Sequence, residues 1–293
     1  MALNLLEPPV MQIRLGYDIE LDIPAPVSIV AVLNVHPSRM KDLLEPDYLR
    51  ISPDVARDEY YDSFGNRCTR FLAPQGILRL SNSTLIQDPG TPDPVDLEAA
   101  QIPVSQLPSE TLQFLVASRY CEVDQLSWLA WQNFGGCQKG WPLVQAICDW
   151  VHAHITFNYQ AARPTMTAVE VYNERTGVCR DFQHLAVSLC RAMHIPARYA
   201  TGYMGDFGVP LVPPMDFSAW FEVFLGGRWW TFDARNNMPR IGRVLMATGR
   251  DAADVAITTS FGPTWLRKFL VVSDEVVPYN AAANAQNNLA MSL

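Results

Sequence analysis

Two hydrophobic rhythms divide the chain. From Met11 to Leu21 apolar and polar residues alternate, the period-two pattern of a half-buried strand. Ser28 to Asn34 is a short apolar run rich in β-branched residues and predicts another strand. Glu59 to Leu72 carries Gly65-Asn66 between two aromatic or apolar arms, which predicts a hairpin. Gly76 to Leu85 continues the alternation. Short strands at this spacing predict an antiparallel β-sandwich over residues 1–105. Five prolines between residues 89 and 108 predict a proline-rich linker at about 86–110.

Beyond the prolines the spacing turns helical. Asp124 to Phe134 and Trp141 to Ile155 predict amphipathic helices; Leu143, Ile147, Trp150, Val151 and Ile155 share one face. Thr167 to Asn173 reads as a short helix, and Val178 to Met193 as a longer one entered through Gly177. Strands follow at Ala197–Tyr203, Ala219–Leu225 and Arg228–Ala234, the last two joined by a Gly226-Gly227 turn. Val255–Thr259 and Lys268–Val272 read as closing strands. Helices first and antiparallel strands after give residues 111–293 an α+β pattern.

Composition narrows the function classes. The 293 residues fit about two domains at roughly 150 residues each. A hydrophobic share of 49% can fill a core, which excludes wholesale disorder. Acids outnumber bases 30 to 22, net charge is −8, and no Lys/Arg run occurs. Neither nucleic acid nor a membrane is an expected partner. The opening MALNLLEPPVMQ has no basic residue and is broken by Pro8 and Pro9, unlike a signal peptide, so a cytoplasmic location is expected. Six cysteines without a CxxC, and histidines without ligand spacing, predict no disulfide framework, metal or cofactor.

One run carries chemistry: Thr176-Gly-Val-Cys-Arg-Asp-Phe-Gln-His-Leu-Ala. It places Cys179 in the first turn of a helix, whose unpaired N–H groups form a partial positive pole. A thiolate is stabilised there, and the same N–H groups suit a developing oxyanion. An inert core cysteine is the competing reading. Asp181 reads as a first-turn acid that complements the helix dipole.

The stretch GVCRDFQHLAVSLCRAMHIPARYATGYM, followed by AWFEVFLGGRWWTFDARN, resembles the transglutaminase-like superfamily, whose bacterial members are often named as candidate cysteine proteases. The resemblance covers about residues 120–260, and the β-rich first hundred residues are similar to the domain that accompanies this core. It implies a papain/transglutaminase-like core of helices packed on an antiparallel sheet. It also implies Cys179 as nucleophile and Asp233 as the acid that orients a histidine. The family's histidine precedes Ala-Trp; here that position is Ser218. A serine hydroxyl cannot take the thiol proton near neutral pH or return it to a leaving amine.

Other histidines do not replace it by position. His184 lies about 140° around the helix from Cys179, and His194 roughly 22 Å along it. His152 and His154 sit on the preceding helix, where His154 could approach the site. Trp220, Trp230 and Tyr159 are expected to wall a substrate cleft, and Asp233 has Arg180 or Arg235 as expected ion-pair partners. Two functions stay open. One is a thiol hydrolase or acyltransferase that attacks amides through a Cys179 thioester, with altered activity. The other is a catalytically silent module that binds a peptide or protein bearing an amide or glutamine side chain. A redox role for Cys179 ranks third. Substrate, acyl acceptor and oligomeric state are not encoded legibly.

Overall fold

A computed structural model describes residues 10–211 and 215–276. The opening Met1–Pro9, used above in the reading on location, lies outside them.

Alternation produces strands where expected. The first half contains β1 (Met11–Ile23), β2 (Val27–Ala31), β3 (Arg50–Ser52), β4 (Arg57–Tyr61), β5 (Arg67–Ala73) and β6 (Gly76–Asp88). Asp62 shapes the β4–β5 turn: its Oδ1 accepts the N–H groups of Phe64 and Asn66, and Gly65 takes a φ of 83°. That left-handed conformation is costly for a residue with a Cβ.

The second half supplies α1 (Val123–Phe134), α2 (Trp141–His154), β7 (Thr156–Phe157), α3 (Ala168–Glu174), β8 (Thr176–Gly177), α4 (Cys179–Ala192), β9 (Ala197–Met204), β10 (Ser218–Leu225), β11 (Arg228–Phe232) and β12 (Arg243–Gly249). The sheet order is β11-β10-β9-β12, all antiparallel. Gly226 and Gly227 both have positive φ, as the tight β10–β11 turn requires. Helix α4 is the central rod. Every residue from Asp181 to Ala192 is buried, between α1, α2 and α3 on one side and β9 and β10 on the other. Its buried Arg191 is satisfied by the carbonyls of Val116, Ala197 and Arg250.

Two features depart from the expectations. The closing strands are β13 (Thr258–Ser260) and β14 (Trp265–Glu275), and they return to the first half. β14 pairs with β1 in the sheet β14-β1-β6-β3, and β13 pairs with β2 in the sheet β13-β2-β5-β4. The two sheets share one apolar core, which Tyr203, Phe217, Val244 and Met246 from the second half complete. Asn66 adds a polar weld: it donates to the Thr248 carbonyl and accepts the Thr248 N–H, copying a backbone pair.

The proline-rich stretch does lack regular helices and strands over 89–103, but it is a strap rather than a free tether. Pro92 bridges to Ile241, Asp93 gives its N–H to the Arg240 carbonyl and accepts the Arg240 N–H on its carboxylate, and the Ala99 and Ala100 carbonyls accept from Trp141 and Gly226.

Candidate functional site

Four strand termini meet at one end of the second-half sheet: the end of β9, the start of β10, the end of β11 and the start of β12. The described residues 205–211 and 215–217, and the loop 233–242, lie at that end. Helix α4 brings its first turn to the same place, because Gln183 ties it to β10 and β11. Its Nε2 donates to Ala219 O and Asp233 Oδ1, and its Oε1 accepts the Ala234 N–H. The short parallel pair β7–β8 sets Phe157–Tyr159 beside Gly177. Together these segments enclose a cleft of about 500 Å3 that includes Cys179, Ser218, Tyr159, Asp216, Arg235 and Arg240.

Cys179 is the first residue of α4 and is half-buried. A Cβ on Gly177 would lie 2.7 Å from that of Asp181, so the entry to the helix is built for glycine. Asp181 accepts the Val178 N–H from within the first turn. Burial pushes the Cys179 thiol up to about 11. The guanidinium of Arg235 and the N–H groups of Ala219 and Arg180 pull it down, and the charge of Asp216 pushes it further up. Desolvation outweighs the helix terminus.

Ser218 opens β10 opposite Gly202 and lines the cleft. Its hydroxyl bonds neither Cys179 nor Asp233; its carbonyl accepts the Thr201 hydroxyl. Asp233, just past β11, is buried and saturated. Its Oδ1 accepts Gln183 and the N–H groups of Arg235 and Asn236; its Oδ2 accepts Asn236 Nδ2 and Arg243 at 2.8 Å. Burial raises its pKa, but Arg243 and Asn236 outweigh that and leave it below the usual carboxylate value. Neither Arg180 nor Arg235 is its ion partner, contrary to expectation: Arg180 pairs with Asp181, and Arg243 is shared between Asp233 and Asp93 of the strap. A separate cavity of about 190 Å3 touches Asp233, Arg243 and Trp141, without Cys179.

The expected cleft walls divide. Tyr159 lines the cleft and is 55% exposed. Trp220 and Trp230 do not line it. Trp220 is 2% exposed beneath the Arg243 guanidinium, and Trp230 packs on Trp141 and donates to Leu225 O. Inward-facing positions of β10 and β11 are filled by core, and a large apolar ring is worth most there.

Among the described residues no histidine lines the cleft. His184 is buried, stacks on Tyr120 at 5.1 Å and accepts the Ala252 N–H through Nε2. His154 bonds Tyr172 O, and His194 lies against Trp131. Asp216, Asn236 and Arg240 were not singled out from the sequence, and Arg235 was read only as an ion partner of Asp233, not as a cleft residue. Their signal is position: they stand within two to seven residues of Ser218 or Asp233, on the loops that leave the strand ends. Among the described residues no three His, Cys, Asp or Glu side chains gather as a metal site, and no helix is long and apolar enough to cross a membrane.

Comparison with known proteins agrees with this architecture. Residues 130–234 match the model of the transglutaminase-like superfamily. The crystal structure of a candidate cysteine protease from Cytophaga hutchinsonii is 31% identical, covers 92% of each chain and superposes with a TM-score of 0.80. An uncharacterised protein of Mycobacterium leprae is 26% identical over 220 residues, 70% of this chain and 75% of its own. One from Mycobacterium tuberculosis is 31% identical over 156 residues, 48% of this chain and half of its own length. The fold, the helix-borne cysteine and the near full-length match place this chain in the transglutaminase-like superfamily.

Proposed function

We propose that this protein binds an amide-bearing peptide or protein in the Cys179 cleft and does not turn it over at neutral pH. One observation carries the reading: among the described residues no histidine lines the cleft beside Cys179, while burial pushes the thiol up to about 11. Arg235 is a permanent acid. Ser218 is not a base in this range. Asp216 opposes the thiolate by its own charge. Asp233 has its oxygens committed elsewhere. Loss of a general base costs roughly 10²–10⁴-fold in rate.

A thioester-forming amidase is the second reading. The N–H groups of Arg180 and Ala219 favour it, because they stabilise charge on the sulfur and could serve an oxyanion. Six free cysteines fit a reducing compartment, and a cytoplasmic location is part of the proposal.

Glutamine-bearing peptides test both readings near neutral pH, with binding followed by fluorescence polarisation and turnover by ammonia release. The expected result is saturable binding without ammonia from the native protein, and ammonia release after Ser218→His. Ammonia release from the native protein that disappears in Cys179→Ala would establish the amidase instead.

A further inference from the structure

Two guanidinium groups line the cleft, and they are held differently. Arg240 is buried, and its Nη atoms are committed to Asn236 Oδ1, Gly205 O and Asp206 Oδ1. Arg235 gives its backbone N–H to Asp233, but among the described residues its guanidinium makes no hydrogen bond or ion pair. That group is held over the Phe157 ring, 4.1 Å from the centroid. The ring supplies no hydrogen-bond acceptor, so the guanidinium N–H donors stay available. Its charge reaches both the Cys179 sulfur and the Tyr159 hydroxyl, so it stands in the space a ligand must enter.

A fixed fork of unused donors matches a carboxylate in two-point geometry. The opposing charge in the cleft does not satisfy it. Asp216 also lines the cleft, and no ion pair joins it to Arg235 among the described residues. Among the described residues, a cation and an anion that are not ion-paired therefore both face the thiol. A carboxylate is drawn toward Arg235 and repelled from Asp216, which orients it.

We propose that Arg235 is the carboxylate-binding residue of this cleft, and that its ligand is an acidic amide: a peptide or amino-acid derivative with a carboxylate close to the carbonyl presented to Cys179. This rests on the reading of the cleft as an amide-binding site.

Alkylation of Cys179 by iodoacetate and by iodoacetamide, mapped by mass spectrometry at one alkaline pH, tests the assignment. The reagents differ only in carboxylate against carboxamide. Each reacts alike: the thiolate lone pair forms the S–C bond and iodide leaves with the C–I pair. The ratio of the two rates therefore cancels the ionised fraction. The iodoacetate-to-iodoacetamide ratio is expected to fall about tenfold in Arg235→Gln, as for loss of one charge-assisted contact. It is expected to rise in Asp216→Asn. An unchanged ratio in Arg235→Gln would overturn the assignment.

The native protein supplies a test free of folding effects. Succinamate and succinamide compete for protection of Cys179 against iodoacetamide, and succinamate is expected to protect at about tenfold lower concentration. Equal protection by both would overturn the role of Arg235 and leave the amide-binding reading standing. Protection by neither would overturn both.

Discussion

Asp233 and Ser218 lie near each other at the same end of one sheet, yet their surroundings are opposite. Asp233 accepts five hydrogen bonds, is shut away from solvent and shares Arg243 with Asp93. Ser218 lines an open cleft and offers a hydroxyl that neither Cys179 nor Asp233 uses. The carboxylate end is a structural joint: it ties α4, β11, β12 and the strap together. The thiol end carries little structural duty, so its side chains can change at small cost to the fold.

The largest expected effect falls on the joint. Arg243→Met strands the buried Asp233 carboxylate and the half-buried one of Asp93, and should cost about 3–5 kcal/mol. A shift in the urea midpoint with the m-value unchanged reads it. A loss below about 1 kcal/mol would mean the joint is not structural.

Acid should find the joint next, and histidines before it. His184 is buried and held well below its usual pKa, and burial lowers His36 to about 4. The unfolded chain binds these protons more readily, so their contribution is complete above about 6.5 and shrinks as pH falls below it. Asp233, with its lowered pKa, contributes fully above about 3.9 and loses that as pH falls further. Stability measured against pH should decline in these two stages. His184→Gln should flatten the upper stage; a slope unchanged by that substitution would deny the role of its ring.

The smallest effect belongs to the cleft. Ser218→Ala should change stability by no more than about 0.5 kcal/mol and leave the alkylation rate of Cys179 as it was. A marked slowing would show that the hydroxyl supports the thiolate after all.

The same contrast governs what was legible in the sequence. Local chemistry reads well: Gly65-Asn66 and Gly226-Gly227 announce hairpins, and Gly177 before Cys179 announces a helix entry. Cys179, Ser218 and Tyr159 are brought to one cleft because each sits at an element end, where a motif fixes the geometry. Partners distant along the chain do not read. Nothing near Trp265–Glu275 says that it pairs with β1, about 250 residues earlier. β12 went unseen because Arg243–Gly249, buried on both faces, lacks the alternation that betrays a half-exposed strand. Arg243 as the partner of Asp233 was hidden with it. Trp220 and Trp230 do not wall the cleft: Trp220 is buried under Arg243, and Trp230 packs on Trp141 in the helix–sheet core.

The central claim is that Cys179 keeps the position of a nucleophile without the means to ionise. The pH dependence of its alkylation by iodoacetamide, followed on the Cys179 peptide, tests this directly. The account predicts a native midpoint well above the free-thiol value of about 8.5, and a lower one in Ser218→His. A native midpoint below about 8 would show an activated thiolate and contradict it.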